Sequence, residues 1–384
     1  MNSLDKNEWN DIKRGVENIC KNYPESYWKK LDQKRSYPTD FVNALTKSGY
    51  LSILIPEEYG GAGLPLRAAS VILEEIHRCG ANGAACHAQM YIMGSLLKHG
   101  SEELKNKYLP QIAKGKLRLQ AFGVTEPSSG SDTLSIKTNA RKSGSKFVIN
   151  GQKVWTSRAE HSDLILLLTK TDNSENRQKN LSLFLIDMRP HLNKSIFIKP
   201  IKTMINHSST EIFFDNLEVS ESSLVGTLGS GFKYILDGMN AERILIASEC
   251  LGDAKYFIDK AKNYANERKV FNRPIGKNQS IQFPIAQAYA NARAAELMIR
   301  EACFLFDGNK KCGEESNLAK LLAADASWEA ADIAMQTFGG FAFSEEYNIE
   351  RKFRETRLYR IAPVSTNMIL AYISHKILGM PRSY

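Results

Sequence analysis

The sequence predicts an α+β chain in three parts: an N-terminal α-helical domain (1–118), a middle antiparallel β-barrel-like domain (119–222) and a C-terminal α-helical bundle (223–384). Three observations carry this reading. First, Phe41–Leu45 and Ala68–Ile76 place apolar residues at three- and four-residue spacing, the period of a helix with one buried face. The run Pro56-Glu57-Glu58-Tyr59-Gly60-Gly61 breaks that pattern as a loop. Second, short β-rich runs follow: Phe147–Ile149, Leu164–Leu168, Leu181–Ile186, Ile196–Ile198 and Ile212–Phe214. Turn residues separate them, as in a compact antiparallel sheet or barrel. The polar stretch Thr171–Asn180 reads as a mobile hairpin loop. Third, helical periodicity returns after Gly229-Ser230-Gly231 and lasts to about residue 376, with long stripes over Ala286–Phe304 and Ala319–Gln336.

Composition narrows the class. With 384 residues, 43% hydrophobic and 24% charged, the chain is long enough for two or three packed domains and ordinary for a globular protein. No apolar run reaches the roughly 18 residues of a membrane span. The opening MNSLDKNEWNDIK has early acidic residues and no apolar core, so it reads as neither a secretory signal nor a mitochondrial presequence. The six cysteines form no C-x-x-C pair, and His77 and His87 beside Cys79 and Cys86 match no common zinc spacing. They read as packing residues, no metal is expected, and a reducing, cytoplasmic setting fits best. The net charge of +9 is spread along the chain rather than clustered. It reads as a solvated surface, with local positive charge available for a phosphate-bearing ligand.

The densest chemical signal is Ala121–Asp132, AFGVTEPSSGSD. A short apolar strand leads into Thr125-Glu126-Pro127-Ser128-Ser129-Gly130-Ser131-Asp132. Proline fixes φ and glycine frees it, so the run is a shaped loop. Its hydroxyls and N–H groups suit a flat polar ring or a phosphate, but composition alone favours an ordinary surface turn.

Further residues resolve that choice. Asn150–Ser157, NGQKVWTS, follows the loop; then come Glu267-Arg268-Lys269-Val270-Phe271, Gln279, and Gln336-Thr337-Phe338-Gly339-Gly340. In this order and spacing the chain resembles the acyl-CoA dehydrogenase family over nearly its whole length. The family pattern T-E-P-x-x-G-S-D is met without a gap. The resemblance implies FAD as cofactor. It places Phe122, Val124, Thr125, Gly130 and Ser131 along the flavin or the neighbouring substrate arm. Trp155 would pack on the ring, with Ser157 near its reactive nitrogen. Arg268, Phe271, Gln279, Gln336, Gly339 and Gly340 would hold the adenine and pyrophosphate end, some of them from a neighbouring subunit. Asn272 stands where the family usually has glycine, which puts a local turn in doubt.

The implied reaction removes a proton from Cα of an acyl thioester and a hydride from Cβ, and so needs a carboxylate base and donors on the thioester oxygen. The segment that holds the base in most members is here Leu358–Asn367, with Ala362-Pro363-Val364-Ser365 where the family has Tyr-Glu-Gly-Thr. The usual glutamate is absent; Ser365 and Asn367 still fit the cofactor side. A minority of members, including isovaleryl- and long-chain-type enzymes, carry the base on another helix, and Glu242 occupies that position. Asn240 and Arg243 flank it on the substrate side, together with Ser131. Pro363 removes a backbone N–H that polarises the thioester carbonyl in the family. A neighbouring donor, a shifted loop and a different substrate pose all remain open.

The resemblance also implies the partners: an acyl-CoA or acyl-carrier-protein thioester as substrate, an electron-transferring flavoprotein as acceptor, and a homo-oligomer built as a dimer of dimers, a homotetramer. Neither a membrane span nor nucleic acid is expected. A flavin oxidase or monooxygenase on the same fold, and a non-catalytic flavin-binding relative that binds nucleic acid, are the alternatives.

Overall fold

The structure, a computed structural model, describes residues 6–172 and 174–382. The outermost ends of the expected first and last domains, and Asn173 of the expected 171–180 loop, lie outside the described residues. Among the described residues, six α-helices come first: α1 (Lys6–Lys21), α2 (Glu25–Lys34), α3 (Thr39–Lys47), α4 (Leu66–Arg78), α5 (Ala84–His99) and α6 (Glu102–Ala113). Seven strands follow: β1 (Leu119–Gly123), β2 (Asn139–Ser143), β3 (Lys146–Ser157), β4 (Leu164–Lys170), β5 (Leu181–Asp187), β6 (Ile196–Pro200) and β7 (Ser209–Ser220). The chain then forms α7 (Gly231–Glu267), a two-stranded ribbon of β8 (Lys269–Val270) and β9 (Arg273–Pro274), α8 (Gln279–Asp307), α9 (Gly313–Phe338), α10 (Ile349–Thr356) and α11 (Thr366–Tyr372). The α+β class holds, with helical regions before and after a central, mostly antiparallel sheet. In space the chain groups into two compact units.

The sheet unit comprises Arg35–Leu64 and Ala84–Met239. Its strand order is β1-β4-β2-β3-β7-β6, with β5 on β4. The expectation of an antiparallel sheet needs correction at β4: β1 and, through Asn139 and Lys170, β2 both run parallel to it. For β1 the reason lies in the path to β4, because β2 and β3 intervene in sequence and return the chain in the direction of β1. Leu164–Leu168 reads as an unbroken apolar run because both faces of β4 are covered. Ile165 and Leu167 join Phe147, Phe184, Ile186, Ile212 and Phe214 inside the curled sheet. Leu164, Leu166 and Leu168 pack with Ile92, Leu96, Leu109 and Ile112 of α5 and α6. The loop expected at Pro56–Gly61 contains one 3-10 turn, Glu57–Tyr59. Arg177–Asn180, in the β4–β5 connection, forms another.

The helical unit comprises the chain up to Lys34, Pro65–Gly83, and Asn240 onward. Helices α8 and α9 face each other through small residues, Ala288, Ala292 and Ala295 on one and Ala319, Ala323 and Ala330 on the other, all buried. Asp307, at the end of α8, caps α4 by accepting from Leu66 N–H at 2.8 Å and Arg67 N–H at 3.2 Å, satisfying N–H groups that have no partner within the helix.

This unit also overturns part of the surface-charge reading. Arg351, Lys352 and Glu355 of α10 are buried rather than solvated. Lys352 Nζ lies 2.5 Å from Asp253 Oδ1 and 3.1 Å from Glu355 Oε2, and Arg351 Nη1 donates to Glu355 Oε1 at 2.8 Å. His77 is part of this network: its Nδ1 lies 2.8 Å from Asp253 Oδ1, and its Nε2 accepts from Gly83 N–H at 2.9 Å. All six cysteines are free thiols. Among the described residues, no helix is long and apolar enough to cross a membrane, and no group of three or more His, Cys, Asp or Glu is placed to hold a metal.

Candidate functional site

In the sheet unit the Thr125–Asp132 loop is built by its own backbone. Glu126 and Ser129 exchange N–H···O bonds of 3.0 Å each way, with Pro127 and Ser128 at the corner. The Ser129 hydroxyl donates to the Asp132 carbonyl, and the Asp132 carboxylate takes bonds from Ser135 and Arg177. The Ser135 hydroxyl, then Arg177, hold that carboxylate below its ordinary range. Pro127, Ser128, Gly130 and Ser131 are left exposed.

Strand β3 supplies the second wall. Its pairing with β7 goes from Lys153–Ile212 to Thr156–Thr210, so Val154 and Trp155 together oppose the single residue Glu211. This is a β-bulge, which turns a strand locally and re-aims side chains. Val154 N–H donates to the Thr125 carbonyl at 2.9 Å, fastening the strand to the loop. Trp155 sits at φ 60° and is 58% exposed, so it is not a core tryptophan. Ser157 is half-buried, and the buried Thr156 Oγ1 has no hydrogen-bond partner among the described residues. Phe122 packs edge-on against Tyr91, centroids 5.9 Å apart, and Tyr91 packs against His87 at 4.9 Å. The sheet unit thus carries Phe122, Val124, Thr125, Gly130 and Ser131 on β1 and the loop after it, and Trp155 and Ser157 on β3, which is fastened to that loop.

The helical unit holds the other expected residues in three groups. Phe271 and Asn272 form the two-residue turn of the β8–β9 ribbon, with φ 52° and 61°. Two successive positive φ values define a type I′ turn, which asparagine tolerates. The turn that Asn272 put in doubt is therefore kept. Phe271 is 94% exposed, and Gln279 opens α8 at the surface. The Arg268 guanidinium lies 5.8 Å from the Phe341 ring, in the 3-10 turn that begins at Gly339. Gln336, Gly339 and Gly340 are exposed there. Second, Glu242 on α7 is only 6% exposed. Its neighbour Arg243 donates from Nη1 to Asn240 Oδ1 at 3.1 Å. Burial pushes the Arg243 guanidinium below its ordinary value, against the opposing effect of Glu242. Third, Ser365 caps α11 by accepting from Met368 N–H at 3.3 Å, and Asn367 is exposed. The preceding segment contains a cis Ala362–Pro363 peptide. It is held by buried Lys320, which donates to the carbonyls of Tyr359 and Val364. Burial lowers Lys320 to about 8.

Each unit carries groups that suit part of a flavin dinucleotide. In the sheet unit Trp155 offers an exposed flat ring and Thr156 a buried hydroxyl oxygen still lacking a partner; in the helical unit Arg268 offers a fixed charge for phosphate. A Cβ at Gly130, Gly339 or Gly340 would meet no atom within 4 Å, so ligand and backbone can approach closely there. Lys153, Glu126 and Lys320 escaped the sequence reading. Strand alternation from Phe147 and Ile149 puts Lys153 on the inward face, and an inward lysine needs a carboxylate; that signal was available.

Fold and donor set together define a flavin-dependent oxidoreductase with a helix–sheet–helix chain order. Comparison with known proteins gives the family. The acyl-CoA dehydrogenase N-terminal, middle and C-terminal domain profiles match residues 6–116, 121–217 and 229–378. The acyl-CoA dehydrogenase FadE12 of Mycobacterium tuberculosis is 31% identical, over 99% of this chain and 98% of that one. The cyclohex-1-ene-1-carbonyl-CoA dehydrogenase of Syntrophus aciditrophicus is 33% identical over 91% of this chain and 85% of its own. Among solved structures, a glutaryl-coenzyme A dehydrogenase complex with glutaryl-CoA superposes with TM-score 0.92 at 29% identity, covering 100% of this chain and 98% of that one. A structure described with the electron transferring flavoprotein of Acidaminococcus fermentans gives TM-score 0.93 at 27% identity, covering 98% and 99% of the two chains. The chain belongs to the acyl-CoA dehydrogenase family, whose members are FAD-dependent oxidoreductases.

Proposed function

We propose that the protein converts an acyl-CoA to its 2-enoyl-CoA, with Glu242 removing the Cα proton. The observation that carries this reading is a buried carboxylate on α7, beside a half-buried arginine, in a chain whose 358–367 segment contains no acid. As the double bond forms, the Cα proton passes to a Glu242 carboxylate oxygen. Bound FAD supplies the acceptor for the Cβ hydride. Arg243 keeps positive charge beside the base, and Asn240 orients Arg243 through its amide oxygen. Trp155, Ser157, Phe122, Val124, Thr125, Gly130 and Ser131 would hold the ring end of the cofactor, with Ser131 also on the substrate arm. Arg268, Phe271, Gln279, Gln336, Gly339, Gly340, Ser365 and Asn367 would hold the rest. An electron-transferring flavoprotein is the proposed acceptor, in line with the Acidaminococcus neighbour. The exposed Phe283, Tyr289, Leu297 and Phe304 of α8 support a homo-oligomer.

The test is Glu242→Gln, titrated anaerobically with a panel of acyl-CoAs. The variant is expected to keep its flavin and to lose reduction by substrate by roughly 10²–10⁴-fold, the range supplied by one positioned base. Bleaching at the wild-type rate would remove Glu242 from this role.

A further inference from the structure

We propose that Lys153 and Glu126 act as a positioning pair that fixes the indole of Trp155 and the Thr125–Ser131 loop in one arrangement. The inference rests on the flavin-site reading above and assigns neither residue to contact with cofactor or substrate.

Lys153 reaches from β3 beneath the loop. Its Nζ donates to the Val124 carbonyl at 3.0 Å and to Glu126 Oε1 at 2.8 Å. It therefore grips the chain on both sides of Thr125. Glu126 accepts in addition from the N–H groups of Lys137, at 2.6 Å, and Thr138, at 2.9 Å. One carboxylate thus ties the loop to β3 and to the segment entering β2. The Val154 N–H bond to Thr125 adds a third tie, made possible by the bulge that turns Trp155 outward.

The energetics argue for geometry rather than stability. Both side chains are almost wholly removed from water. Burying such a pair costs desolvation that its attraction barely recovers, and an apolar pair of similar volume would serve folding as well or better. Burial pushes Lys153 down to about 8, yet it stays a cation at neutral pH beside the carboxylate. Burial acts to raise Glu126, but the Lys153 charge and the N–H donors outweigh it and hold the group below its ordinary range. What the pair provides is direction: two charge-assisted contacts of fixed length between the loop and the strand that carries the indole.

Four variants test this: Lys153→Met, Glu126→Gln, both together, and Trp155→Leu. For each, FAD affinity and quenching of flavin fluorescence are measured, with circular dichroism of the apoprotein as a folding control. Lys153→Met is expected to fold, to bind FAD roughly tenfold or more weakly, and to lose much of the quenching. The double variant should lose little more than either single one, the non-additivity of one coupled unit. Glu126→Gln keeps an acceptor for Lys137 and Thr138 and decides the matter in the same way if Lys153→Met does not fold. A lower melting temperature with unchanged FAD affinity and quenching would overturn the proposal, leaving a purely structural pair. If instead Trp155→Leu changes neither flavin property, the flavin-site reading itself fails, a result distinct from failure of the clamp.

Discussion

At the scale of single residues, Phe271 carries backbone strain that bears on its proposed place at the cofactor. It is almost fully exposed and sits at φ 52°, where an L-residue other than glycine or asparagine is penalised by about 1 kcal/mol or more. Nothing about its packing explains a phenylalanine there. Phe271→Gly should therefore raise the stability of the apoprotein, by roughly 0.5–1 kcal/mol in urea unfolding, while weakening FAD binding. A destabilised apoprotein would show that the ring is needed for folding instead. Single residues also set the limit of sequence reading. Trp155 could be placed on a cofactor only by its company in NGQKVWTS, because period-2 alternation from Phe147 and Ile149 points its ring inward. The bulge that turns it outward depends on a bond to Thr125, some thirty residues earlier, and strand periodicity does not report such a bond.

At the scale of elements, the strands and long helices were legible because each carries its period in its own sequence: the runs around β3 to β7, and the stripes of α8 and α9. Helix α10, IERKFRET, was not. Its charges look like a solvated face, and their true partners, Asp253 on α7 and His77 on α4, lie far away in sequence. Such pairing is invisible to a window of neighbouring residues. It also has a measurable consequence. Burial alone would raise Glu355, but Arg351 and Lys352 bring it down to about 2. A carboxyl group depressed on folding stabilises the native state above its unfolded pKa of about 4.5, and that contribution disappears as pH falls toward 2. The shift corresponds to about 3 kcal/mol. Glu355→Gln should accordingly be less stable than the parent at pH 7 in denaturant titrations. Its stability should also fall less steeply between those two pH values. Parallel acid profiles for parent and variant would show that the pair contributes nothing to acid sensitivity.

At the scale of the whole molecule, the net charge of +9 and the proposed substrate bear on each other. Coenzyme A carries phosphates, and a cationic protein gathers polyanions by a field that salt screens over about 10 Å at 0.1 M. The positive charge is distributed rather than clustered, so the effect should fall on encounter more than on the reacting centre. For acyl-CoA turnover, KM should rise severalfold between about 20 and 200 mM monovalent salt while kcat changes little. The same thioester on a small uncharged thiol carrier should show no such rise, because it offers the field no charge to act on. Comparing the two carriers across a salt series separates recognition of the phosphates from recognition of the acyl group. A KM for acyl-CoA that is independent of salt would mean that the positive charge plays no part in substrate capture.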